Sequence, residues 1–175
     1  MNPSRGSESR TMENPVTVER TSERELVVTR TFDAPARLVF EAWTKPQLFE
    51  QWWVPRSMGM KLQSLEMDVR VGGRSLVCMS APDWGFPALY STWTYSLVDA
   101  RNRLEFVHNM SDEHGTTLDM EGIPHDVRHV ITFEAVSPEV TRLTVHESSY
   151  PTAEARDQSS QGLEECLDKL VAIYA

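Results

Sequence analysis

From Met58 to Ser148 the chain repeats a period-two pattern in short segments, and after Thr152 it switches to one unbroken helical stripe. Strands are predicted at 58–69, 73–80, 88–99, 103–110, 127–136 and 140–148. Most of their separators are short and carry turn chemistry: Gly72-Gly73, Pro82-Asp83-Trp84-Gly85, Asp99-Ala100-Arg101-Asn102 and Ser137-Pro138-Glu139. Connections this short join antiparallel neighbours, because a parallel pair needs a crossover of a dozen residues or more. In the closing segment Leu163, Cys166, Leu167, Leu170, Val171 and Tyr174 recur at i, i+3, i+4, i+7, i+8 and i+11, which predicts an amphipathic helix over 152–174. A helix of that length reaches about 30 Å and can lie across a curved sheet. Its first half is thin on the same face: Thr152, Ala155, Ser159 and Gly162 are all small.

Upstream, Glu25 to Phe32 reads as a strand. Asp33-Ala34-Pro35 predicts a helix start, with Asp33 as cap and Pro35 in the first turn. Leu38, Val39, Ala42 and Trp43 keep helical spacing, and Pro46 ends that helix and opens a short second one that runs to Trp53. The fold class is therefore α+β: a curved antiparallel sheet of about seven strands around a long C-terminal helix, with two short helices after the first strand. Residues 1–22 are expected to be a mobile tail whose end, near Val16 and Val18, can pair at a sheet edge, and 23–175 a single domain. Gly72-Gly73 suits a tight hairpin with positive φ and lacks the strand-before-helix context of a phosphate loop. The long connection, 111–126, has the length at which loops tend to be functional.

Composition narrows the partners. The net charge is −9 over 175 residues, so the chain carries no electrostatic footprint for nucleic acid or an anionic membrane surface. No apolar run approaches the ~20 residues of a membrane span. Met1 to Arg10 holds no apolar stretch of the signal-peptide kind, and a cytoplasmic location is expected. Cys78 and Cys166 read as buried, reduced thiols. His125 and His129 are four apart, but in a loop running into a strand, where that spacing separates them by about 13 Å. No Cys or Glu completes a ligand set with them, so no metal or other cofactor is expected.

Alternation assigns the side chains that face the closing helix. The inward sets are Trp93, Tyr95 and Leu97; Leu104, Phe106 and His108; His129, Ile131 and Phe133; and Leu143, Val145 and Glu147. In the strand at 73–80 both faces are apolar, and Val77 and Met79 are placed inside. Large flat groups on the sheet opposite Ala155, Ser159 and Gly162, with Leu163 next along the helix, leave volume the chain does not fill. Of Trp52 and Trp53, one is expected to be buried and the other, taken as Trp53, partly exposed at the mouth of that space. These residues make a candidate pocket for a small apolar or amphipathic molecule. Ser159→Leu is expected to fill it without loss of stability.

The residues that carry a family resemblance are Thr31 to Pro35, Val39 to Pro46 with Trp52, Trp53 and Pro55, Asp68 to Arg74, Trp93-Thr94-Tyr95, Arg103 to Phe106, Thr132-Phe133-Glu134, Thr141 to Thr144 and Gly162 to Leu170. In this order they resemble the SRPBCC, or START-like helix-grip (Bet v-like), superfamily. The narrower likeness is to relatives of the C-terminal domain of the activator of the heat-shock ATPase chaperone. Leu163 stands where many relatives have Trp after the Gly. The resemblance implies the helix-grip fold over about 25–174, and its scaffold hosts lipid carriers, hormone binders, cyclases and co-chaperone domains. Binding of an apolar or amphipathic ligand is the leading expectation. The alternatives are a cyclase- or hydrolase-like enzyme using His108 and Glu147 for proton transfer, and a co-chaperone-like interaction domain. The last is disfavoured because the partner-binding domain that accompanies it in the chaperone activator is not in this length. Acidic domains of this kind with open sheet edges often associate, which points to a homodimer.

Overall fold

In the computed structural model, which describes residues 17–55 and 59–175, the alternating segments form one sheet. Its strands are β1 (Thr17–Ser22), β2 (Glu25–Phe32), β3 (Lys61–Met67), β4 (Arg74–Ala81), β5 (Phe86–Asp99), β6 (Arg103–Ser111), β7 (Val127–Ser137) and β8 (Val140–Ser148). The helices are α1 (Ala36–Thr44), α2 (Pro46–Phe49) and α3 (Ala153–Ile173). All eight strands belong to one antiparallel sheet in the order β1-β2-β8-β7-β6-β5-β4-β3. The strands from β3 to β8 are a meander of neighbours. β2 closes against β8, so α1 and α2 carry the chain from β2 to the far edge of the sheet at β3.

The eighth strand is β1, which pairs with β2 at the edge where the end of the N-terminal segment was expected to settle. Residues 1–16 of the expected tail lie outside the described residues, as does Met58 at the start of the strand predicted over 58–69. Three local readings are corrected. Asp33 does not cap α1: the N-cap is Pro35, with no side-chain cap bond. Leu97 does not face inward, because a bulge after Tyr95 sets Leu97 opposite Glu105 and brings Val98 opposite Leu104. One extra residue in a strand moves every later side chain to the other face. The second helix is also shorter than predicted and ends at Phe49.

At Gly73 there is no room for a side chain, since a Cβ there would come within 2.3 Å of the Asp68 carbonyl. Gly72, at φ 81°, donates from its N–H to Tyr95 O at 2.9 Å, so the β3–β4 turn docks on β5. The core between sheet and helices is aromatic at the α1–α2 end. Trp43 and Trp52 rings lie 4.8 Å apart, Phe49 meets Trp93 edge-on at 5.2 Å, and Trp93 stacks on Phe106 at 4.5 Å. α3 is held at both ends by side chains reaching backbone carbonyls: Arg156 Nη1 to Ser22 O at 2.5 Å, Lys169 Nζ to Val54 O at 2.8 Å and Tyr174 OH to Leu38 O at 2.8 Å. Among the described residues, no helix is long and apolar enough to cross a membrane.

Candidate functional site: a cavity beneath the C-terminal helix

α3 begins with Thr152 as N-cap, its hydroxyl accepting from Ala155 N at 3.1 Å. That cap sets the rotation of the first turns. Leu163, Cys166, Leu167 and Leu170 are buried in the second half, whereas Ala155, Ser159 and Gly162 of the first half line a cavity of about 340 Å³. Bulk at one end of the helix holds the other end off the sheet. Thr152 is spent on the cap and is not part of the wall.

The sheet contributes Trp93, Met79, His108, His129 and Glu147 to the wall, and Leu163 comes from the helix. Trp52 is buried, its indole N–H donating to Ala42 O at 3.0 Å, while Trp53 lines the cavity. Val77, Tyr95, Phe106 and Phe133 do not reach it. All four are buried in the hydrophobic core, where Tyr95 OH pairs with Ser75 at 2.7 Å and Phe106 is covered by Trp93 on one side and His129 on the other. They share the inward face, as alternation requires, but sit beyond the part of the sheet that α3 leaves uncovered.

Further wall residues come from the same strands and helix and from the connections. Met110 and Val127 lie one step of alternation beyond His108 and His129, and Cys166 continues the helix face from Gly162. Tyr150, Pro55, Met60, Gly122 and Pro124 come from connections, where neither period applies, and Gln158 stands beside Ser159. Gly122 and Pro124 bring the long 111–126 connection against the cavity. Its two ends are pinned: Arg74 donates to His114 O at 3.0 Å and Gly115 O at 3.2 Å, and Asn109 exchanges bonds with Asp126 at 3.0 and 2.7 Å. His125 sits in this connection 3.6 Å from Asp119, apart from His129.

One end of the cavity is polar and closed on itself. Glu147 Oε1 is 3.0 Å from His129 Nε2. Its Oε2 accepts from Tyr150 OH at 2.5 Å and Ser159 Oγ at 3.2 Å, and Tyr150 and Ser159 are themselves 2.6 Å apart. His129 Nδ1 bonds Val127 O at 3.1 Å. Burial pushes the Glu147 carboxyl up, but the His129 charge and the bonds from His129, Tyr150 and Ser159 outweigh it and hold the pKa below the ordinary value. Tyr150 is raised by burial and by the adjacent Glu147 charge, so it stays protonated. His108, whose ring is 5.8 Å from that of His129, is lowered to about 3 by burial and by His129, and is neutral at physiological pH. Burial likewise raises the Cys166 thiol to about 12, leaving it unreactive.

His108 and Glu147, the pair of the alternative enzyme reading, share no hydrogen bond: Glu147 is bonded to His129, Tyr150 and Ser159 and acts on His108 only through its charge. Ser159 is also not a free filler position. Replacing it with Leu removes one hydrogen bond to the buried Glu147 carboxylate and one from Tyr150, so a net loss of stability replaces the gain expected of Ser159→Leu.

A family model described as activator of Hsp90 ATPase homolog 1-like protein matches residues 33–175. The chain belongs to that family. Solved structures share the fold over most of the chain. A protein from Mycobacterium smegmatis is 24% identical with a TM-score of 0.74, the match covering 92% of this chain and 98% of that one. One from Staphylococcus epidermidis is 27% identical with a TM-score of 0.73, covering 90% and 93%. The AHSA1 protein from Silicibacter pomeroyi, 16% identical, has a TM-score of 0.69 over 85% and 95%. No curated protein matches by sequence. The AHSA1-like assignment accounts for the helix-grip sheet and the long closing helix, and it leaves the contents of the cavity open.

Proposed function

We propose that this AHSA1-like domain binds a small apolar or amphipathic molecule between α3 and the sheet. The observation that carries the reading is the cavity of about 340 Å³, walled by Trp53, Trp93, Met79, Met110 and Leu163 with a buried polar cluster at one end. That size falls at the lower end of small-molecule pockets, roughly 300–1,000 Å³. The interaction-domain reading draws less support. Among the described residues, the large exposed apolar side chains Val71, Phe86, Met120, Val136 and Ile173 fall on separate elements, and scattered ones need no partner.

A neutral hydrophobic dye, N-phenyl-1-naphthylamine, tests the proposal. Its fluorescence should rise on titration into the protein, and Ala155→Leu, which adds bulk to the helix wall without touching a hydrogen bond, should abolish the rise. An unchanged signal in a folded Ala155→Leu variant would place binding elsewhere. Proton-transfer catalysis is the second reading, favoured by the buried His129–Glu147 pair at the cavity wall. It requires a substrate that displaces one of the bonds the cluster makes to itself.

A further inference from the structure

Proton counting at the polar end restricts what the cavity can hold. The Val127 carbonyl can only accept, so His129 Nδ1 carries a proton. His129 Nε2 and Glu147 Oε1 stand 3.0 Å apart, a separation that requires one shared proton because two facing lone pairs would repel. On whichever side it sits, as imidazolium with carboxylate or imidazole with carboxylic acid, the pair sums to zero charge. The Tyr150 hydroxyl proton is shared between Glu147 Oε2 and Ser159 Oγ, and the Ser159 proton is directed at Glu147 Oε2. The cluster thus has neither a net charge nor a spare donor to offer.

No Lys or Arg is among the described residues lining the cavity. The nearby cations on α3 are committed elsewhere, Lys169 to Val54 O and Arg156 to Ser22 O and Asp157. An ionised head group entering here would lose its water and meet no counter-charge among the described residues, which is costly. His108 is different. It is partly buried in the wall, across the β5–β6 ladder from Trp93, and its ring has no hydrogen-bond partner among the described residues. A neutral imidazole offers one N–H donor and one nitrogen acceptor.

We infer that the cavity selects uncharged amphipathic ligands and that His108 meets their hydroxyl or carbonyl group. The inference rests on the binding role proposed above and adds the ligand class. The test compares three probes of one shape, naphthalene, 2-naphthol and 2-naphthoate, by calorimetric titration at neutral pH into the wild type, His108→Phe and His108→Gln. In the wild type, 2-naphthol should bind at least about tenfold more tightly than 2-naphthoate. His108→Phe should bring 2-naphthol down to the affinity of naphthalene, and His108→Gln, which keeps a donor and an acceptor, should restore much of the preference. Binding of 2-naphthoate as tight as that of 2-naphthol overturns the selection against charge. An unchanged preference for 2-naphthol in a folded His108→Phe variant overturns the role of His108. Both results leave the cavity as a binding site. If none of the three probes binds, the binding role itself falls, and this inference with it.

Discussion

At residue scale the chemistry concentrates in His108, His129, Glu147, Tyr150 and Ser159, and each makes a measurable difference. His108 has its pKa lowered to about 3 when folded, against an ordinary value of 6.5. Between those values the unfolded chain binds a proton that the folded chain does not, so stability is lost as pH falls below 6.5. Compared with His108→Phe, the wild type should lose up to about 1.4 kcal/mol more per pH unit below that point. Denaturant unfolding from about pH 8 to about pH 5 measures this, and parallel profiles for the two proteins would contradict it. Glu147 acts in the same direction. Its carboxyl is held low in the fold, so its stabilising bonds are present above the ordinary carboxyl range and lost as acid protonates it. Ser159→Ala removes one of those bonds and one from Tyr150, and should cost about 1–3 kcal/mol in the same unfolding experiment. A cost near zero would mean that Tyr150 and His129 satisfy the carboxylate without Ser159.

At the scale of elements, α3 shows how one helix can both seal a core and leave a space. Gly162 faces the cavity in mid-helix, and a Cβ there would touch only Pro55 Cγ at 3.5 Å, an ordinary contact. Gly162→Ala should therefore stabilise the protein by up to about 1 kcal/mol through helix propensity, read as a higher midpoint in thermal unfolding. A loss would show that the wall is tighter than the contact implies. The 111–126 connection is fastened from outside by Arg74 to two carbonyls. Arg74→Ala should speed amide exchange at 113–118 while global stability changes by less than about 1 kcal/mol, and unchanged exchange would show the loop to be held by its own bonds at Asp112. These elements were unequally legible in the sequence. β5 to β8 and α3 were plain because period-two and period-3.6 patterns run through them uninterrupted. The bulge after Tyr95 was not, since an extra residue within an apolar strand leaves no mark in composition and yet reverses Leu97. Tyr150 escaped for another reason. It follows Ser149, at φ 73°, in the turn between β8 and α3, where no periodicity tells which way a side chain points.

On the scale of the whole molecule, the sheet curves around α3, and the α1–α2 crossover plugs one end with rings, while a cavity remains beneath the small-residue half of the helix. The inward face could be listed from sequence. Which part of that face is core and which is cavity wall could not, because this depends on how far α3 stands off the sheet. Val77, Tyr95, Phe106 and Phe133 went to the core for that reason, and Trp93 and His108 to the wall. The central claim is that the space is there to be filled, and native mass spectrometry of freshly purified protein tests it most directly. The account predicts a population carrying one small molecule per chain, released on collisional activation, and absent from Ala155→Leu prepared in parallel. A wild-type spectrum showing the bare chain alone, unchanged after incubation with 2-naphthol or naphthalene, would contradict it.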